Sequence, residues 1–238
     1  MDLRLVFTDI SSISLNLITH FNLSRSIKCL KSHKLYTTHV VMIREFHADK
    51  IPKPPQNKLW NGVLPTNYKF LDVEIGCGVG FHPIFYAAQN PDRYLIAIEK
   101  TTEKFDKFER RHLNHGLVNV VPVHGNAVAW ITHYIELNSV DRYFILYPNP
   151  YPKDPQKRFF QMPFMKHLLA TLKKGGTLTL ATNEEFYYKE SLELGVSFWN
   201  LKVLEDNKVD PKENPRTHFE KKYLLRGETC FNLVFEKT

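Results

Sequence analysis

The chain has 238 residues, 43% of them hydrophobic, which suits one large domain with a real core, or one domain plus an appendage. Its three cysteines, Cys29, Cys77 and Cys230, lie far apart with no C-x-x-C or Cys/His cluster, so neither a disulfide framework nor a zinc site is indicated and a reducing cytoplasm is the simplest compartment. The formal net charge of +7 is compatible with a polyanionic partner such as RNA.

Much of that charge comes early: residues 1–58 carry nine Lys/Arg against four Asp/Glu. The opening "MDLRLVFTDISSISLNLITHF" is too polar for a signal peptide and too broken to span a membrane. The residues before Met42 read as weakly packed or as part of an over-long reading frame, which an intact mass of the native protein would decide. "DKIPKPPQNKLWNGVLPTN" follows as a linker or extended arm. The expected organisation is a basic extension over residues 1–58 and one α/β domain over 59–238.

From Lys69 onward, strand-like and helix-like runs alternate. "KFLDVEIG" is a buried strand ending in glycine, and "FHPIFYAAQN" a helix with Pro83 in its first turn. "RYLIAIE" is a second strand, and "TTEKFDKFERRHLNHG" an amphipathic helix opened by Thr and closed by Gly116. "LVNVVPVHG", "NAVAWITHYI" and "DRYFILYP" give strand, helix, strand. "FFQMPFMKHLLATLKKGG" predicts a helix closed by glycines, "TLTLAT" a strand and "NEEFYYKESLELG" a helix. The alternating "ETCFNLVFEKT" is the final strand. Continuous apolar strands separated by helices predict a parallel sheet covered on both faces.

The loop "EIGCGVGF" joins the first strand to the first helix, with Gly76, Gly78 and Gly80 in G-x-G-x-G spacing. Glycines there let the chain turn tightly and let a ligand approach the backbone. A dinucleotide fingerprint would need a glycine where Phe81 stands, which disfavours NAD. The acidic Glu74 suits a ligand with an ammonium group, such as the methionine end of S-adenosylmethionine. Glu99 ends the second strand, 19 residues after Gly80, where a carboxylate can accept both hydroxyls of a ribose. Asn126-Ala127 follows the third strand, where an adenine edge could be read.

"YPNPYPK", Tyr147 to Lys153, follows the fourth strand as a stiff polar loop, at the strand ends where such folds place the reacting group. "ATNEEFYY" follows the fifth strand. "PRTHFEKK" precedes the last strand, and its Thr217 and Glu220 also read as a helix capping box.

Taken together, these motifs resemble the tRNA (guanine-N7)-methyltransferase family over roughly 170 residues, in the family's order. The E-x-G-x-G-x-G loop is Glu74 to Gly80, the acid after strand two is Glu99, and the Asp/Asn-Ala pair is Asn126-Ala127. The P-D-P-W-P-K signature falls on Pro148 to Lys153, with Lys157-Arg158 downstream. A-T-D-x-x-x-Y falls on Ala181-Thr182-Asn183 and Tyr187, and T-x-F/Y-E on Thr217, His218, Phe219 and Glu220. The resemblance implies a Rossmann-like, doubly wound, mostly parallel seven-stranded sheet with its last strand antiparallel. It implies methyl transfer from S-adenosylmethionine to N7 of a tRNA guanosine in the cytoplasm, with no metal and no membrane. Glu74, Gly76, Gly78, Gly80, Glu99, Asn126, Ala127 and Asn149 would hold the cofactor. Asn149 would also face the target base. Lys153, Asn183 and the segment Thr217, His218, Phe219, Glu220 would hold the guanosine.

The chain departs from the family pattern: Asn149 and Asn183 replace aspartates, Tyr151 replaces a tryptophan, and Asp154 and Pro155 thin the basic run that follows. Guanine N7 has a lone pair and no proton to lose, so methyl transfer needs in-line placement more than a general base. Recognition is more sensitive. A carboxylate only accepts hydrogen bonds and matches guanine's N1–H and N2–H₂ donors, whereas an amide presents one acceptor and one donor group. The departures leave open a same-fold methyltransferase for another nucleobase or amine, as in enzymes with an N-P-P-Y motif. They also leave open a catalytically weak module that binds the cofactor.

Overall fold

The computed structural model describes residues 27–31, 34–38, 43–55, 60 and 63–238; the first 26 residues and Met42 lie outside it. The chain divides into two compact units, Met1–Glu45 and Phe46–Thr238. In the first, β1 (Ile27–Lys31) pairs antiparallel with β2 (Lys34–Thr38), Ile27 opposite Thr38.

The proline-rich stretch of the second unit is tied down through its backbone carbonyls. Ile51 O accepts from His133 Nε2 at 2.7 Å and Pro54 O from the Tyr134 hydroxyl at 2.6 Å. Trp60 donates to Tyr134 O at 3.3 Å and stacks on Tyr94.

Seven strands form one sheet: β3 (Phe70–Ile75), β4 (Arg93–Glu99), β5 (Val120–His124), β6 (Val140–Leu146), β7 (Leu172–Thr182), β8 (Leu201–Lys208) and β9 (Phe231–Lys237). Their order is β5-β4-β3-β6-β7-β9-β8. The first five are parallel, and β9 runs antiparallel to both β7 and β8. Helices α1 (Phe81–Gln89), α2 (Thr102–His115), α3 (Ala127–Tyr134), α4 (Phe164–Thr171) and α5 (Glu185–Ser197) connect the strands, and α6 (His218–Leu225) precedes β9.

The apolar runs explain the sheet. Every residue of β4 is buried, so this strand is covered on both faces, as a parallel sheet requires. The charge at its start is answered: Arg93 forks onto Asp72 of β3 at 2.5 Å through both Nε and Nη2, and Tyr86 of α1 donates to the same carboxylate at 2.7 Å. α2 buries only Phe108 and ends at Gly116, whose φ of 60° supplies the left-handed turn that closes it.

Two readings of the elements are corrected. The run 159–176 is not one helix: a 3-10 turn covers Phe159–Gln161, α4 spans Phe164–Thr171, and β7 begins at Leu172. Pro163 sets the start of α4. Burial of Leu172 against the sheet turns the chain extended before the glycines arrive. Gly175 (φ 75°) and Gly176 then lie within β7 beside a register shift at Val140/Arg142. A Cβ on Gly176 would sit 2.7 Å from Leu172 Cδ1 and 3.0 Å from Asp141 O. The sheet also holds β8, "LKVLEDNK", whose residues from Glu205 to Lys208 are exposed. An edge strand of that polarity carries little apolar signal.

β3 leads to β4 and β5 on one side, and β6 leads to β7 on the other, so the chain's course reverses between the neighbours β3 and β6. Ligands of open α/β sheets bind at the carboxyl ends of the strands beside such a switch. Among the described residues, no helix is long and apolar enough to cross a membrane.

Candidate active site

The parallel order of β5-β4-β3-β6-β7 brings the loops after all five strands to one edge. Those loops and the strand ends that feed them carry Glu74 to Gly80, Glu99, Asn126, Asn149 and Asn183. The sequence scatters these residues over 110 positions, and the fold gathers their loops.

At the switch, Gly76 N and Cys77 N both donate to Ile98 O, at 2.8 and 3.1 Å, and lead the chain off the end of β3. Gly76, Gly78 and Gly80 all have positive φ, at 74°, 61° and 74°. At Gly80 close packing adds to conformation: a Cβ would fall 1.9 Å from Phe108 Cδ2. Only glycine fits the helix start there.

The two acids beside this loop, at the ends of β3 and β4, are both bound by the protein. Glu74 is buried and its Oε2 lies 2.7 Å from Nδ1 of His82, in the first turn of α1. Glu99 sends Oε2 to Gly78 N at 2.9 Å and Oε1 to Thr101 N at 2.7 Å. A carboxylate accepting two backbone N–H groups ties the glycine loop to the end of β4 and keeps lone pairs for hydroxyl donors. Cys77 stands between these carboxylates, and burial with their charges pushes its thiol up. It remains a neutral packing residue. Beyond β5, Asn126 caps α3 by accepting from Val128 N at 2.9 Å, with Ala127 as the first helical residue.

The loop after β6 is stiff for reasons beyond its prolines. Tyr147 and Tyr151 both adopt left-handed backbone, φ 53° and 42°, a conformation that non-glycine residues hold only when their surroundings impose it. Tyr147 N donates to Ala181 O at 2.7 Å, and its hydroxyl to Glu220 Oε2 at 2.6 Å. Asn149 Oδ1 accepts from Tyr151 N at 3.2 Å, an Asx turn that needs only the side-chain oxygen. Arg158, of the Lys157-Arg158 pair downstream of the signature, is buried: it donates to Tyr151 O at 2.9 Å and forks onto Glu190. Lys153 is exposed, and Lys157 pairs with Asp154 at 2.9 Å.

After β7, Asn183 Nδ2 donates to Glu228 Oε2 at 2.8 Å, and Tyr187 is fully buried with its hydroxyl accepting from Phe159 N at 3.0 Å. Thr217 does cap α6, its Oγ1 accepting from Glu220 N at 2.9 Å. Glu220 is fully buried and bound by Arg216, through the backbone N at 2.8 Å and Nη2 at 2.7 Å, as well as by Tyr147. Burial alone would raise its carboxyl. The Arg216 guanidinium, the Tyr147 hydroxyl and the Arg216 N–H outweigh that and hold it below the usual carboxylate range. The same partner, after burial, raises the Tyr147 hydroxyl. His218 is exposed, and the half-buried Phe219 has Lys104 of α2 5.5 Å above its ring, so α6 reaches across to the helix after β4.

The Thr-x-x-Glu pattern is therefore a helix cap and a tether for the signature loop at once. His82, Tyr147, Arg216 and Glu228 were not singled out by the sequence. Arg216 stands next to Thr217 and Tyr147 opens the signature loop, but a partnership 73 residues apart has no local signature.

Residues 69–233 match a family model described as "Putative methyltransferase". A tRNA (guanine-N(7)-)-methyltransferase of Nitrosomonas eutropha is 32% identical over 168 residues, covering 69% of this chain and 75% of that protein. The chain belongs to the tRNA (guanine-N7)-methyltransferase family. A second member, from Thermotoga maritima, is 28% identical over 202 residues, and the chain spans 63% of its length. Among solved structures, the 16S rRNA methyltransferase KamB aligns with a TM-score of 0.58 at 16% identity, over 73% of this chain and 90% of that one. TrmN from Thermus thermophilus aligns at 0.54 and 17% identity, over 73% and 45%. At such identities these likenesses speak for the fold alone. Family membership brings S-adenosylmethionine as the methyl donor, and the three left-handed glycines with the two-pronged Glu99 make a cradle that fits a nucleoside-bearing ligand.

Proposed function

We propose that this protein transfers a methyl group from S-adenosylmethionine to N7 of a guanosine in tRNA, in the cytoplasm. The observation that carries the reading is the convergence of the family's motifs, in order, on one edge of the sheet, with the glycine loop and Glu99 bonded to each other.

The chain's residues divide the work. Glu74 and the glycines Gly76, Gly78 and Gly80 receive the methionine part of the cofactor, Glu99 the ribose hydroxyls, and Asn126-Ala127 the adenine edge. When bound, the cofactor supplies an electrophilic methyl on a sulfonium. Asn149, on the strained loop between Tyr147 and Tyr151, faces both cofactor and base, and its task is placement, because N7 has no proton to remove. The Tyr147–Glu220–Arg216 network holds that loop against α6. Lys153, Asn183 and the Thr217 to Glu220 segment, with His218 and Phe219, bound the guanosine side. The net charge of +7 favours association with an RNA backbone.

The test is methyl incorporation from S-adenosylmethionine into bulk tRNA, followed by nucleoside mass spectrometry. The reading requires 7-methylguanosine. A different methylated nucleoside, or none with any nucleic acid while the cofactor still binds, refutes it.

A further inference from the structure

The two aspartates replaced by asparagine raise a recognition problem, because an amide NH₂ turned toward guanine would meet donors with a donor. At Asn183 the structure removes the conflict. Its Nδ2 points at Glu228 Oε2, 2.8 Å away. The reverse orientation would set two oxygens against each other, so the carboxylate dictates which end of the amide is spent. Asn183 Oδ1 has no protein donor among the described residues. Glu228 Oε1 has only Arg226 Nη1 at 3.8 Å, beyond hydrogen-bond reach, and the carboxylate is 36% exposed. Glu228 is itself held: its backbone N donates to Tyr223 O at 3.0 Å, after the left-handed turn at Gly227 (φ 72°). The pair lies by the signature loop, whose Tyr147 N bonds Ala181 O two residues before Asn183.

We infer that Asn183 and Glu228 act as one unit that presents two acceptors to the target guanine, Asn183 Oδ1 to N1–H and Glu228 Oε1 to N2–H₂, with Glu228 as a specificity-determining residue. This rests on the methylation of guanosine proposed above. An adenine edge, which pairs a donor with an acceptor, does not match two acceptors. The unit also explains why asparagine stands at 183: an aspartate there would place a second carboxylate 2.8 Å from Glu228.

The unit has a symmetric alternative, which supplies the test. In Glu228→Gln the new amide turns one NH₂ toward guanine. In Asn183→Asp two carboxylates collide. In the double variant Asn183→Asp/Glu228→Gln, the glutamine NH₂ is spent on the aspartate and two acceptors again face the base. Each enzyme is assayed on matched tRNA transcripts with guanosine or inosine at the methylated position; inosine keeps N1–H and N7 but lacks N2–H₂. The wild type should favour guanosine over inosine by about 10- to 100-fold, the span of a net hydrogen bond to a charged acceptor. Glu228→Gln should lose most of that preference and the double variant regain it, with the KM for S-adenosylmethionine unchanged. A merely structural pair would leave the guanosine-to-inosine ratio where it was. The inference is overturned if Glu228→Gln keeps the preference, or if the double variant does not recover it. Should Asn183→Asp fail to fold, the isosteric Glu228→Gln decides alone. A wild type that makes no 7-methylguanosine overturns the proposed function instead.

Discussion

Replacing Glu99 with glutamine changes almost no volume and removes one acceptor. In the native site each carboxylate oxygen takes one backbone N–H, Gly78 N at 2.9 Å and Thr101 N at 2.7 Å. A glutamine can satisfy only one of them, and its NH₂ must face the other. A buried donor left without an acceptor costs about 1–3 kcal/mol. In a chain of this length that lowers the melting temperature by about 2–10 °C. The proposed ribose contacts weaken as well. Hydrogen bonds to a charged acceptor exceed neutral ones by about 1 kcal/mol each, so two of them lower cofactor affinity by about tenfold to thirtyfold. Calorimetry with S-adenosylmethionine and with an analogue lacking the 2′ and 3′ hydroxyls separates the two effects. The wild type should lose affinity for the dideoxy analogue, and Glu99→Gln should lose distinctly less. A Glu99→Gln protein that melts and binds like the wild type, or that discriminates equally against the dideoxy ribose, refutes both the loop tether and the ribose role.

The glycine loop makes a graded prediction. Gly76→Ala meets open space and costs only the left-handed conformation, about 1–2 kcal/mol, whereas Gly80→Ala also drives a methyl into the Phe108 ring 1.9 Å away. Urea denaturation should therefore find Gly80→Ala less stable than Gly76→Ala by about 1–3 kcal/mol; equal stabilities would contradict the packing account. Because Glu220's carboxyl lies lower folded than unfolded, the stability it contributes is full above its ordinary value of 4.5 and is lost as pH falls below that. Glu220→Gln should be less stable at neutral pH by about 1–3 kcal/mol and show a flatter acid limb in denaturation titrations; an unchanged limb would remove Glu220 from the linkage. Asn149→Asp keeps the oxygen that accepts from Tyr151 N, so the loop should hold its fold. If an acid at this position aids the target base, guanine methylation rises by up to about tenfold, and no gain in kcat counts against that role.

The sequence carried the fold wherever the physics is local. "RYLIAIE" coincides with β4 from Arg93 to Glu99 because every one of those residues is buried. The run from Phe159 to Gly176 misled because glycines inside a strand look like a helix stop. What turns the chain extended at Leu172 is burial against the sheet, a tertiary effect. β8 was missed because a polar edge strand has no apolar pattern to read. The site divides the same way. G-x-G-x-G, Glu99 and the proline loop are legible because their spacing encodes backbone geometry. The partners that aim them, His82 on Glu74, Arg216 and Tyr147 on Glu220, and Glu228 on Asn183, come from other elements of the fold. Asn183 is the sharpest case. Read alone, its amide opposes guanine, but beside Glu228 its donor is already spent.

The most direct test of the central claim replaces the reacting atom in the substrate. Two tRNA transcripts are compared with labelled S-adenosylmethionine, one built with guanosine and one with 7-deazaguanosine, which has carbon in place of N7. The account predicts label in the first, recovered as 7-methylguanosine, and none in the second. Equal incorporation into both transcripts would contradict it.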